Sequence, residues 1–335
     1  MKKILKIVSL ITCAAITLLL LAGCQDGKKL EKVSVCEVTH SIFYAPQYVA
    51  INEGFFKDNG IEIELSNGQG ADKVMSAVLS NSIDIGFAGP EAAVYVYNEG
   101  KEDYAKVFAQ MTKRDGSFLM SRQKEENFDW NALKGKTLLP GRKGGVPYMT
   151  LEYVVKQKGL VPGKDVVFDD SIQYALMAGA FMSGTGDYVT VFEPTASAME
   201  LEGKGYIAAS IGEQTEDIPY TTYFAKQSFL KKNTDLVQRF TDALYKGQIW
   251  VNTHSAKEIA AAIAPSFADT EKSLIETVVQ RYKEIGVWNT DPILTEESFN
   301  RLQEVISEAG ELDQKAPYGD VVDNTFAQKA IDTVK

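Results

Sequence analysis

Four times along the chain a short apolar run leads through a loop into a helical pattern opened by proline, at Pro46, Pro90, Pro147 and Pro194. Proline suits the first helical position, because its missing N–H is one the helix leaves unpaired anyway. Two junctions fall in each half, in the same order. Pro46 precedes Asp84 by 38 residues and Pro147 precedes Asp187 by 40; Asp84 leads to Gly89-Pro90, and Asp187 to Glu193-Pro194. Strand, loop, helix, strand is a βαβ unit. Its repetition predicts an α/β chain of two similar lobes, each a mixed, mostly parallel sheet flanked by helices.

The first unit is the most explicit. Residues 33–38 alternate as a strand, 40–44 form an aromatic loop, and a helix runs from Pro46 until Gly54 stops it. Strands are expected again at 60–65, 82–88 and 106–111, with helices at 71–79 and 90–97. The second half gives strands at 136–139, 166–168 and 187–192, and helices at 146–158 and 173–182. After a strand at 219–225 the pattern is wholly helical, at 235–251, 270–285 and 295–309, with Ser255 and Glu258 spaced as a capping box. No Pro- or Ser-rich linker separates the halves, so the chain crosses between them near 112–116 and 218–222. The expected division is 33–114 for lobe 1, 115–220 for lobe 2, and 221–335 for the return to lobe 1 and the C-terminal helices.

The N-terminus is not part of this pattern. Lys2, Lys3 and Lys6 precede an apolar run, 7–21, that closes in Leu21-Ala22-Gly23-Cys24. A basic end, a short apolar run and small residues make a secretory signal, too short for a comfortable membrane span. Residues 1–23 are read as that signal and 24–32 as a polar tether. Its removal would leave 312 residues with a formal charge of −13, against −10 for the whole chain. Such a balance argues against nucleic acid as a partner and against a polybasic grip on anionic lipid. Cys13 leaves with the signal and Cys24 marks the cleavage point, so Cys36 alone remains. One cysteine forms neither an internal disulfide nor a thiolate metal site; Cys36 is expected in a buried strand.

Several short motifs now combine. The Leu-Ala-Gly-Cys24 box is followed by Tyr44-Ala45-Pro46-Gln47-Tyr48-Val49-Ala50, Glu53-Gly54-Phe55-Phe56, Asp84-Ile85-Gly86-Phe87 and Phe192-Glu193-Pro194. Together they resemble the substrate-binding lipoproteins of bacterial ABC importers, in the nitrate/sulfonate/taurine and thiamine-pyrimidine-precursor group with the type II periplasmic binding protein fold. The likeness is good from about Val33 to Phe224 and loose over the helical tail. It implies two lobes that close on a small molecule and deliver it to an ABC permease. It also implies lipidation of Cys24, hence an anchor at the extracytoplasmic face of the cell membrane. A monomer without cofactor or metal is expected.

In open parallel sheets ligands lie at the carboxyl ends of the strands. Those loops would present His40, Phe43 and Tyr44, then Phe87, Ala88 and Gly89, from lobe 1. Lobe 2 offers Gly144, Gly145, Tyr148, Phe192 and Glu193, with Tyr220 and Tyr223 near the return crossing. Each has a plain alternative: Phe87 as core, the glycines as turn formers, Asp84 and Asp187 as backbone-bonding residues at strand starts. Glu193 reads either as a helix-capping carboxylate or, as the resemblance implies, as acceptor for a ligand amino group. Aromatic walls with few polar groups suit a flat heterocycle such as an aminopyrimidine. Arg142 and Lys143, near a helix N-terminus, keep open a small oxyanion or sulfonate. A pyrimidine-synthesis enzyme of the same architecture is the remote alternative, since the cysteine-rich motif it needs is absent. No Ser-His-Asp order or histidine cluster points to hydrolysis or metal catalysis, so no enzyme is expected.

Overall fold

Strand pairing sorts the chain into two five-stranded sheets. The computed structural model describes residues 29–334; the signal segment, Cys24 and most of the tether lie outside them. Strands β1 (Glu31–Glu37), β2 (Ile61–Asn67), β3 (Ile85–Ala88), β4 (Ala105–Thr112) and β10 (Thr221–Lys226) form the first sheet, in the order β2-β1-β3-β10-β4. Strands β5 (Ser117–Ser121), β6 (Thr137–Leu139), β7 (Val167–Phe168), β8 (Tyr188–Phe192) and β9 (Tyr206–Ser210) form the second, in the order β7-β6-β8-β5-β9. β1 runs parallel to β3, and β6 parallel to β7 and β8. β10 lies antiparallel between β3 and β4, and β5 antiparallel between β8 and β9. The chain therefore crosses after β4 and returns through β10, and residues 32–335 make one compact body.

Helices of seven or more residues are numbered here: α1 (Ala45–Asn52), α2 (Ala71–Leu79), α3 (Glu91–Asn98), α4 (Val146–Gln157), α5 (Thr195–Leu201), α6 (Thr234–Thr253), α7 (Ala256–Ile263), α8 (Lys272–Ile285), α9 (Glu296–Glu308) and α10 (Thr325–Thr333). Pro46 and Pro147 occupy the first turns of α1 and α4 as the pattern predicts. Pro90 and Pro194 instead stand one residue earlier, as N-caps of α3 and α5. That position suits proline equally, since its carbonyl opens the ladder while no N–H is needed; Pro194 O accepts from Ala198 N at 3.0 Å. The helix expected over 173–182 divides into a 3-10 turn, Tyr174–Leu176, and a short helix, Met177–Met182. β9 is an addition, because Tyr-Ile-Ala-Ala-Ser lacks the alternation that marks a strand.

The two halves repeat one device at their strand starts. Asp84 Oδ2 accepts the Ser34 N–H at 2.9 Å, and Asp187 Oδ2 accepts the Thr137 N–H at 2.9 Å, each pair 50 residues apart. Each aspartate so fixes the register of a parallel pair at its entry. The C-terminal helices then buttress the first sheet. α6 packs along α1, and Gly247 allows the approach, because a Cβ there would stand 2.4 Å from Pro46 O. The edge of β4 is covered rather than open: Gln110 N bonds Pro292 O, Lys113 N bonds Val287 O and Asn289 N bonds Met111 O, at 2.8–2.9 Å.

Candidate functional site

Where the carboxyl ends of β1 and β8 face each other, the chain places aromatic rings. Ser41 caps the 3-10 turn Ile42–Tyr44, its hydroxyl accepting the Phe43 N–H at 3.2 Å. This presents Phe43 inward, 1% exposed. Its ring meets Tyr44 (5.5 Å between centroids), Phe192 (5.5 Å), Tyr220 (5.8 Å) and Tyr282 (5.3 Å). Phe192 comes from the second sheet and Tyr220 from the return crossing. Tyr174 approaches Phe192 at 6.4 Å and is 43% exposed, so it forms the outer lip. The backbone at Gly116, in the outward crossing, passes directly under Phe43: a Cβ there would lie 2.3 Å from the ring.

Two carboxylates border this cluster. Asp115, in the outward crossing, is 1% exposed; Oδ1 accepts the Ser117 N–H at 2.6 Å and Oδ2 has no hydrogen-bond partner. Burial pushes its carboxyl up to about 6, against the pull of Ser117 and of the Tyr220 hydroxyl beside it. Glu91, in the first turn of α3, is 2% exposed and its Oε2 likewise lacks a partner. Burial raises Glu91 to about 7, while the N–H groups of Glu91, Ala92 and Val146 and the charge of Arg142 favour its anion. Val146 opens α4, so Glu91 faces the N-termini of two helices, one from each sheet. Gly89 makes room for it, since a Cβ there would fall 2.0 Å from Oε2.

The two sheets meet in a closed arrangement held by polar ties. Ser41 Oγ donates to Glu193 O at 2.8 Å, and Glu193 N donates to the Tyr282 hydroxyl at 3.1 Å, which donates in turn to Gly116 O. Tyr95 in α3 donates to Gly144 O at 3.0 Å. Arg281 in α8 pairs with Glu193 and, at 3.2 Å, with Glu200 of α5.

Of the residues singled out in sequence, Phe43, Tyr44, Phe192 and Tyr220 come together in this cluster. Ala88 and Gly89 lie beneath it, buried, at the β3–α3 junction. Gly144 and Gly145 sit buried at the start of α4, Gly144 with φ 77°. Tyr148 packs on Phe168, 5.4 Å away, rather than on the cluster. Phe87 stacks on Tyr223 at 4.2 Å and 10°, both 0% exposed inside the first half, with the Tyr223 hydroxyl given to Gln47. His40 turns away altogether: Nδ1 meets Glu37 at 2.8 Å, Nε2 meets Ser266 O at 2.8 Å, and the ring stacks on Phe267. Its hydrogen bond to Glu37 raises the His40 pKa. The Glu193 carboxylate is fully engaged by Ser197 N (2.9 Å), Ser197 Oγ (2.8 Å) and Arg281. It serves as the capping group that the alternative reading described.

Sequence reasoning passed over Asp115, Glu91, Tyr174, Arg281 and Tyr282. Glu91 follows Gly89-Pro90 directly, but an acidic first-turn residue is ordinary dipole complement until its burial is known. Among the described residues no group of three or more His, Cys, Asp or Glu stands arranged to hold a metal ion. No helix of the described residues is long and apolar enough to cross a membrane.

Comparison with known proteins places this geometry. The model of the NMT1-like family matches residues 32–265. A Bacillus subtilis (strain 168) chain named as binding protein YtlA is 47% identical over 309 residues, covering 92% of each chain. A second chain from that strain, named as an aliphatic sulfonates-binding protein, is 24% identical over 323 residues, 93% of this chain and 94% of its own. The crystal structure of the periplasmic nitrate-binding protein NrtA from Synechocystis PCC 6803 superposes with a TM-score of 0.74 at 16% identity, covering 92% of this chain and 90% of that one.

Proposed function

The chain belongs to the NMT1-like family, and from that premise we propose that it is an extracytoplasmic solute-binding protein serving an ABC permease. In this reading its two lobes, 33–114 with the returning 221–335 and 115–220, hinge at the crossings and shut on a small molecule. The observation that carries it is Phe43 packed against Phe192 across the two sheets, at the strand ends where α/β folds take ligands. The relatives' names as binding proteins support the same reading. The protein does no chemistry of its own and works as a monomer, anchored by lipid on Cys24 to the outer face of the cell membrane.

The ligand we assign is a small heteroaromatic, such as a thiamine-type pyrimidine precursor, lying among Phe43, Tyr44, Phe192 and Tyr220 when the lobes are open enough to admit it. Glu193 has no free carboxylate oxygen for this ligand in the closed form and acts on it only through Arg281 and the lobe contact. The rival is a sulfonate or nitrate, favoured by the name of one relative. Protein purified from its native host without unfolding decides between them. Denaturing it should release a near-stoichiometric aromatic nitrogen compound that mass spectrometry identifies. Release of a sulfonate would overturn the ligand class, and release of nothing that rebinds would overturn the transport role.

A further inference from the structure

The two carboxylates at the cluster have an unusual electrostatic setting. A buried carboxylate is normally paired or hydrogen-bonded through both oxygens, because burying a bare charge costs far more than burying a bonded one. Asp115 and Glu91 are each at most 2% exposed, and each keeps one oxygen without a partner. Among the described residues no ion pair reaches either. Lys113 and Arg114, the basic neighbours of Asp115 in sequence, are both turned to Asp217, at 3.4 and 2.6 Å. Arg142, the cation acting on Glu91 from a distance, lies 3.9 Å from Asp72 and is half exposed.

Both groups border the same rings. Tyr44 lies in the field of Glu91, Tyr220 in that of Asp115, and Tyr44 and Tyr220 in each other's. Glu91 also takes the place that an anion would seek. The N-termini of α3 (8 residues) and α4 (12 residues) each carry the equivalent of about half a positive charge, and backbone N–H groups from both face its carboxylate. Anion capture there is already satisfied from within the chain. A second anion would meet Glu91 rather than bare helix ends.

We propose that the cleft selects a positively charged ligand: Asp115 and Glu91 hold the ammonium or amino-heterocyclic cation, the rings of Phe43, Tyr44, Phe192 and Tyr220 cover its faces, and Glu91 excludes oxyanions from the helix N-termini. This rests on the cleft being the solute site, as proposed above. A cation there completes both half-paired carboxylates at once and gains from the aromatic faces as well. The raised pKa of each carboxyl fits, since only a cation would draw both into the ionised form.

The probes are 4-aminopyridine, an aromatic cation at neutral pH, its uncharged isostere toluene, and the anions benzenesulfonate and nitrate. Binding to ligand-stripped full-length protein is followed by calorimetry and thermal shift, for wild type, Asp115→Asn and Glu91→Gln. The expected result is binding of 4-aminopyridine alone, weakened about ten- to a hundred-fold in each variant, as loss of one charge-assisted bond implies. Glu91→Gln should also admit benzenesulfonate. Each variant's melting curve reports whether it is folded. Should one be unfolded, the wild-type ranking of the four probes still decides. Benzenesulfonate or nitrate binding more tightly than 4-aminopyridine to the wild type overturns the charge selection while leaving the solute-binding role intact. Binding of 4-aminopyridine unchanged in both folded variants overturns the roles given to Asp115 and Glu91. If no probe binds and the natively purified protein also releases no small molecule, the solute-binding reading itself falls with it.

Discussion

Replacing Glu91 by glutamine should make the ligand-free protein more stable at pH 8 and no more stable at pH 5. Burial raises the Glu91 carboxyl from its ordinary 4.5 to about 7. Between those values the folded chain keeps a proton that the unfolded chain has lost, so stability falls as pH rises through that window. At about 1.36 kcal/mol per pH unit, the loss reaches roughly 3 kcal/mol by pH 8. The charges and dipoles facing Glu91 are Arg142, Tyr44, Tyr95 and the N–H groups of Ala92 and Val146, and none of them titrates between pH 5 and 8. Glutamine has no proton to lose and nearly the same shape. The variant should therefore gain about 2–3 kcal/mol at pH 8, a rise of roughly 5 °C in melting temperature for a chain of this size. Thermal melts of both stripped proteins at pH 5 and 8 measure this. A variant that is equal to or less stable than wild type at pH 8 would refute the claim that the Glu91 charge is buried without a partner.

Three further outcomes follow from the same geometry. Arg281→Ala leaves the fully buried Glu193 carboxylate without its cation, and breaking such a pair costs about 3–5 kcal/mol; ligand affinity should fall, while lobe 1 alone stays folded as judged by hydrogen exchange. Gly247→Ala drives a Cβ to 2.4 Å from Pro46 O, and overpacking of this kind costs about 1–3 kcal/mol, read as a lower denaturant midpoint with binding unchanged. His40 has the opposite sign to Glu91: its raised pKa contributes stability that is complete below the unfolded value of 6.5 and is lost as pH rises through the folded one. His40→Ala should remove that dependence in melting curves and leave ligand affinity alone, because the ring bonds Glu37 and Ser266 O, outside the cluster.

The fold was largely open to sequence reasoning because its signals are local. Strand alternation, proline at helix starts and the Ser255–Glu258 capping box each act within a few residues, and each is found where the pattern puts it. The equal spacing of Ser34–Asp84 and Thr137–Asp187 carried the internal repeat. The site was less legible, because side chains are committed by neighbours far along the chain. Glu193 is engaged by Arg281, 88 residues away, and His40 by Ser266, 226 residues away. Nothing near either residue announces those partners. Asp115 and Glu91 present the reverse case: their sequence neighbourhoods look like a turn and a helix start, and only tertiary burial strips them of water. Phe43 and Tyr44 were recognisable because an aromatic pair in a strand-end loop has few other uses.

The account stands or falls on hinged closure around the cleft, and small-angle X-ray scattering reads that directly. The ligand-stripped protein should scatter as a longer particle than the closed form described here. Adding back its co-purified ligand to saturation should bring the radius of gyration down to that of the closed form, because a site divided between two lobes gains its full contacts only when shut. A curve unchanged by a ligand shown to be bound would contradict the account.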